Sequence, residues 1–146
     1  MSTAASTDKA TIPVRIITPE GVLYDEAVRM VVAPSVQGDV AILARHAPLE
    51  AFLRVGETRV RLADADETLI RFATTEGYMS VEGNSVLILV EQGERLEDID
   101  RPRAEAALAR AEERLAALAA EDEADRAVAE AAKARAENRL RVSAPE

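Results

Sequence analysis

Cysteine and tryptophan are absent from the 146-residue chain, and histidine occurs once, at His46. Without thiols there is no disulfide framework, no thiolate metal site and no cysteine nucleophile, and one imidazole makes no zinc cluster. Aromatics are 3% of residues against 48% hydrophobic. A core must therefore be built from Val, Ile, Leu and Ala, and platforms on which bases could stack are scarce. No run approaches the roughly 18 apolar residues of a membrane span, and residues 1–11 lack the basic-then-apolar order of a signal peptide. Positive charge is also in deficit: 18 basic against 27 acidic residues leave a net charge of -9. That balance argues against nucleic acid and anionic membrane surfaces as partners, and no direct membrane insertion is expected. Together these absences describe a soluble, cytoplasmic module, one globular unit with an appendage.

Glycine shows where the chain divides. All six glycines lie at or before Gly93, and the segment from Arg101 to Arg141 has none. In that segment 16 of 41 residues are Ala, the only β-branched residue is Val128, and nine basic side chains balance nine acidic ones. It is neutral and strongly helix-forming, so the excess acid belongs to the rest. Before it, short Val and Ile runs are punctuated by Gly, Asp and Asn: Val14-Arg15-Ile16-Ile17, Val28 to Ala33, Arg59-Val60-Arg61-Leu62 and Val86-Leu87-Ile88-Leu89-Val90. Turn chemistry at Ala63-Asp64-Ala65-Asp66-Glu67 and Glu82-Gly83-Asn84 separates strands. Many short strands at this spacing predict a sandwich or barrel.

Asp100 is placed to cap a helix, with Pro102 where a missing donor matters little. Ala104, Leu108, Ala111, Leu115 and Leu118 then recur at steps of four and three, one seam of a helix meeting a partner. Val128, Ala132, Ala136 and Leu140 are the expected facing stripe. Glu121, Asp122, Glu123 and Asp125 repel one another between the stripes and favour a bend, so the tail reads as an antiparallel helical hairpin. An Ala methyl contributes about 0.8 kcal/mol against roughly 2 for a buried Leu. The seam is weak enough for an element that docks and undocks, although a permanently close-packed Ala coil has the same composition.

Catalytic constellations are missing: no GxxxxGK[ST] loop, no GxGxxG, no partner for His46. The chain is expected not to be an enzyme and to need no cofactor or metal. Most helix charges have an opposite charge three or four places away, such as Arg110 with Glu113 and Arg126 with Glu130. Arg135 and Arg139 have none at those positions, so negative charge is expected from elsewhere, either acids of the first helix or an external polyphosphate.

The order of elements resembles the epsilon subunit of F-type ATP synthases over residues 12–141. Val14-Arg15-Ile16-Ile17-Thr18-Pro19-Glu20-Gly21-Val22-Leu23-Tyr24 looks like that family's opening strand and turn. Gln37-Gly38-Asp39-Val40-Ala41-Ile42-Leu43 followed by His46-Ala47-Pro48-Leu49 looks like its signature loop. Leu96-Glu97-Asp98-Ile99-Asp100 leads into a paired-helix tail ending Arg135-Ala136-Glu137-Asn138-Arg139-Leu140. The resemblance implies a flexible tail over residues 1–11 and a β-sandwich of about ten strands over 12–93. A linker and two-helix hairpin would follow over 94–141, then a short tail over 142–146. It implies a non-catalytic rotor subunit between the gamma subunit and the c-ring, peripheral on the cytoplasmic side of the bacterial plasma membrane. Asp39 and His46 would face these partners. Extended, the hairpin would reach the alpha and beta catalytic subunits and restrain ATP hydrolysis.

Members that bind ATP as a regulatory ligand carry an I/L-D-x-x-R-A motif, which Ile99, Asp100, Arg103 and Ala104 match, and two arginines late in the second helix, matched by Arg135 and Arg139. By the same resemblance Glu94 and Arg110 join the site, with Glu94 and Asp100 at the adenine and ribose end and the arginines on the phosphates. Ala44-Arg45 stands where the family usually has Pro-Gly, and Ala41 where it has Gly, so a stiffer, more basic loop is expected. A different reading takes the acids at 121–125 as the tip of a coiled-coil effector that offers carboxylates to a metal ion in RNA polymerase. Such factors place the coil before the β domain, the reverse of the order here.

Overall fold

The computed structural model describes residues 10–119 and 121–145. Residues 1–9 of the expected N-terminal tail and Glu146 of the C-terminal one lie outside the described residues. The chain forms two compact units, divided between Glu94 and Arg95.

Ten strands build the first unit: β1 (Ile12–Thr18), β2 (Gly21–Val28), β3 (Met30–Ser35), β4 (Gly38–Leu43), β5 (Leu49–Leu53), β6 (Gly56–Arg61), β7 (Leu69–Thr74), β8 (Gly77–Glu82), β9 (Ser85–Val90) and β10 (Gly93–Arg95). Their order is β10-β7-β6-β3-β5-β8-β9-β1-β2, with β4 on β3. The alternation of the sequence decides which face is inward. In β1, Ile12, Val14 and Ile16 are buried while Pro13 and Arg15 are exposed. β3 and β5 share one register pair, Ser35 with Leu53, where the sheet passes from one layer of the sandwich to the other. Ile12, Ile16, Ile42, Phe72, Met79 and Ile88 fill the space between the layers, all fully buried. Tyr24 meets Phe72 edge-on at 5.6 Å, and the hydroxyls of Thr58 and Thr74 satisfy each other in the interior at 2.8 Å. The expected sandwich of about ten strands is therefore present.

The run from Val28 to Ala33 is not one strand. It breaks at Arg29, whose N–H bonds Arg61 O at 2.8 Å, so Val28 closes β2 and Met30 opens β3. β1 lies parallel to β9, with Val14 opposite Val86 and Ile17 opposite Leu89. Gly83 and Asn84 both have positive φ, 58° and 56°, the two-residue turn whose twist suits a hairpin.

The second unit is the helical pair α1 (Arg101–Ala117) and α2 (Glu123–Val142). Asp100 accepts a hydrogen bond from the Arg103 N–H at 3.1 Å, capping α1 as expected. Ala104 and Ala111 are buried along it, with Leu108, Leu115 and Leu118 partly so. On α2 the facing stripe differs from the expected one. Val128 is 59% exposed and Ala132 is exposed, while Ala129 and Ala136 are buried. Repeated steps of four advance 400° each and drift about 40° off a straight seam, whereas seven residues bring the helix back to within about 20°. The expected set held every step at four and so wandered off the seam.

Candidate functional site

The signature loop is built by β4 and β5. His46 N–H closes a turn on Leu43 O at 3.1 Å, and Arg45 takes φ 67° in its third position, where glycine is the comfortable residue. The central amide of such a turn points away from its own chain. Here the Arg45 N–H donates to Asn84 Oδ1 at 2.7 Å, across 39 residues. His46 Nδ1 lies 2.7 Å from Ala47 O, which assigns the proton to Nδ1 and leaves Nε2 as an acceptor at neutral charge. Leu43, Arg45, Ala47 and Pro48 are exposed around it. Asp39 is tied to Arg54 by an ion pair at 2.8 Å, a partner that the spacing of the two residues did not announce.

The base of the hairpin is the second assembly. Arg101, the first residue of α1, donates to Leu140 O at 2.9 Å and to Ser143 Oγ at 2.7 Å. Ser143 Oγ in turn donates to Arg139 O at 2.6 Å. A cation thus sits on the carbonyl end of α2, where the helix dipole favours it. Arg141 adds a bond to Asn138 Oδ1 at 3.0 Å. Toward the turn, Arg114 and Asp125 pair across the helices at 4.0 Å. The expected helix pairs Arg110–Glu113 and Arg126–Glu130 do not close among the described residues; long side chains in water gain little by closing them.

These two crossings set the register, which brings Arg103 level with Arg139 and puts Arg110 about one turn further toward the tip than Arg135. In an antiparallel pair, a residue just before a seam position falls on the same side of the hairpin on either helix. Arg103, Arg110 and Arg114 precede Ala104, Ala111 and Leu115, and Arg135 precedes Ala136; Arg139, three residues after Ala136, lies close by. Five arginines therefore line one side. Glu105, Glu112, Glu130 and Glu137 follow the buried alanines and line the other, all exposed. Arg135 and Arg139 are half-buried and already engaged in interactions of the chain, so neither depends on a ligand for its first contact. Asp100 spends one oxygen on the cap of α1. Ile99 is half-buried and Ala104 is in the seam. Glu94 closes the first unit, in β10, while the other residues implied for ATP belong to the second.

Elsewhere on the β unit, Glu57 accepts from both Arg59 and Arg71. The hydroxyl and amide of Thr68 bond Asp64 and hold its carboxyl below the usual range. A hydrogen bond to Glu50 pushes the Tyr78 phenol up. Among the described residues no three His, Asp or Glu side chains gather closely enough to hold a metal ion, the acidic turn at 121–125 included. No helix formed by them is long and apolar enough to cross a membrane.

A β-sandwich followed in sequence by a two-helix hairpin defines a class, and family models recognise both halves. Residues 11–96 match the beta-sandwich domain of the ATP synthase delta/epsilon chain, and residues 97–144 match its long alpha-helix domain. The ATP synthase epsilon chain of Lacticaseibacillus casei is 41% identical over 103 residues, 70% of this chain and 72% of that one. That of Carboxydothermus hydrogenoformans is 43% identical over 105 residues, 72% and 76% of the two chains. In three dimensions a chain of the Euglena gracilis mitochondrial ATP synthase, from a structure of OSCP/F1/c-ring in rotational state 1, superposes with a TM-score of 0.73. It has 22% identity and covers 88% of this chain and 79% of its own. The chain belongs to the ATP synthase delta/epsilon chain family, which leaves the polymerase-effector reading without support.

Proposed function

We propose that this chain is the epsilon-type rotor subunit of an F-type ATP synthase, coupling the gamma subunit to the c-ring. The observation that carries this is the continuous match of both units to the family, residues 11–144 in order. Its role is that of a stalk part without chemistry of its own. It holds no glycine-rich phosphate cradle in its sequence, and phosphoryl transfer depends on such positioning. The exposed loop around His46, after one end of β4, supplies a partner contact, and Asp39, near the opposite end of that strand, supplies another. The subunit sits on the cytoplasmic side of the bacterial plasma membrane, peripheral to it.

The hairpin supplies regulation. Extended, it reaches the alpha and beta subunits and restrains hydrolysis; closed, it is clamped by ATP, whose phosphates take the arginine side formed by Arg103, Arg110, Arg135 and Arg139, with Ile99, Asp100 and Ala104 toward the nucleoside. Support comes from the register, which levels Arg103 with Arg139, and from the one-sided charge. A ligand that prefers the closed hairpin shifts the equilibrium toward it.

Returning the chain to an ATP synthase stripped of its epsilon subunit tests the stalk role, and ATP-driven proton pumping is expected to recover. Failure to rebind, or rebinding without recovery, would overturn it. Calorimetric titration tests the ligand. A charge-assisted contact is worth roughly 1.5–3 kcal/mol, so Arg135→Ala should weaken ATP binding about tenfold or more, and Arg126→Ala, off that side, should change it little. Equal affinity in the two variants would remove ATP from the reading.

A further inference from the structure

The Arg45–Asn84 bond joins two turns that share no strand register, and it involves the central amide of the 43–46 turn, which the turn itself does not use. Arg45 is exposed, Asn84 is exposed, and both have left-handed backbones, φ 67° and 56°. Asn takes such a φ readily, but an arginine there is held by its surroundings rather than by preference. Those surroundings are Leu43 O, which takes the His46 N–H, and Asn84 Oδ1, which takes that of Arg45. The Gly83–Asn84 turn is rigidly placed by β8 and β9, with Glu82 opposite Ser85. We infer that Asn84 is a positioning residue for the partner-contacting loop: from the β8–β9 turn it clamps Arg45 and so fixes the direction in which His46, Ala47 and Pro48 are presented. The inference rests on the reading of this loop as a contact surface. Its physical content is preorganisation, because a loop already ordered before docking loses less freedom on docking.

Two substitutions separate the clamp from the turn it stands on. Asn84→Gly keeps the positive φ and removes the acceptor. Asn84→Asp keeps an acceptor at the same atom and tolerates the same backbone. In the full chain, amide exchange at Arg45 should accelerate on the order of 3- to 10-fold in Asn84→Gly, the worth of one exposed hydrogen bond, and return to the wild-type rate in Asn84→Asp. Exchange at Ile16 and Ile88 should stay unchanged in both. Affinity for an ATP synthase stripped of its epsilon subunit should fall by a similar factor in Asn84→Gly and recover in Asn84→Asp. An unchanged Arg45 rate in Asn84→Gly overturns the clamp. A faster rate with wild-type affinity overturns its positioning role while His46→Ala or Asp39→Arg still weakens binding. Wild-type affinity in all three, Asn84→Gly, His46→Ala and Asp39→Arg, takes down the contact reading itself, and the inference with it.

Discussion

Phe72, Met79 and seven isoleucines and valines close on one another between the layers of the β unit, each without solvent contact, whereas the hairpin buries four alanines in its seam and caps its open end with an arginine. A fully buried large apolar side chain contributes about 1.5–3 kcal/mol and an alanine methyl about 0.8. The β unit is held by what it removes from water. The hairpin is held by backbone propensity and a few directional polar contacts. One chain thus joins a body whose shape is over-determined to an arm whose pairing rests on a handful of terms, the combination expected where one part must stay put and another must change state.

The largest effect expected is in the body. Phe72→Ala should lower its stability by about 3–5 kcal/mol, seen as a shift of the urea midpoint at the β amides with the helical content of the arm retained. A loss under 1 kcal/mol would mean the two units are not the opposites drawn here. Next comes the arm. Arg101→Ala removes two charge-assisted bonds and the cation at the end of α2, a loss of about 1.5–3 kcal/mol. Amide exchange should accelerate along α1 and α2 and stay unchanged at Ile88. Acceleration in both units alike would contradict the division of labour.

The smallest effect sharpens the contrast at a surface turn. The Asp64 carboxyl is held below its ordinary value of 3.8 by the Thr68 hydroxyl, then by the Thr68 amide. A depressed carboxyl adds stability above its unfolded value and gives it up as pH falls through its folded value. The stability difference between wild type and Asp64→Asn should therefore be present at neutral pH, shrink below about pH 4, and leave the exchange of hairpin amides untouched. A difference that stays constant down to pH 2 would remove Asp64 from the acid response.

What could be read from the chain divides along the same line. Alternation made the inward face of β1 legible, because a period of two is a local property. Likewise Asp100 announced its own cap. The α1 seam was legible from its steps of four and three, yet the α2 stripe was misplaced, since alanines stand on both flanks and mark no register by themselves. The contacts that define the sites were out of reach. Arg45 with Asn84 and Arg101 with Leu140 are each 39 residues apart, and neither pair carries a pattern in sequence. Arg101 sits at an unspecified place in the motif that includes Asp100 and Arg103, and Asn84 reads only as a turn residue. Arg45 was legible as a departure from Pro-Gly; that it would adopt the backbone of the missing glycine was not.

The parallel pairing of β1 with β9 has a mechanical meaning. The two strands point the same way, the chain enters through one and leaves the other by way of the short β10, and four consecutive register pairs join them from Val14 to Ile17. A pull between the start of β1 and the end of β9 therefore drags the strands past each other, loading those ladder bonds together instead of peeling them one at a time. The place where the chain would be stretched hardest is the place where its resistance is shared.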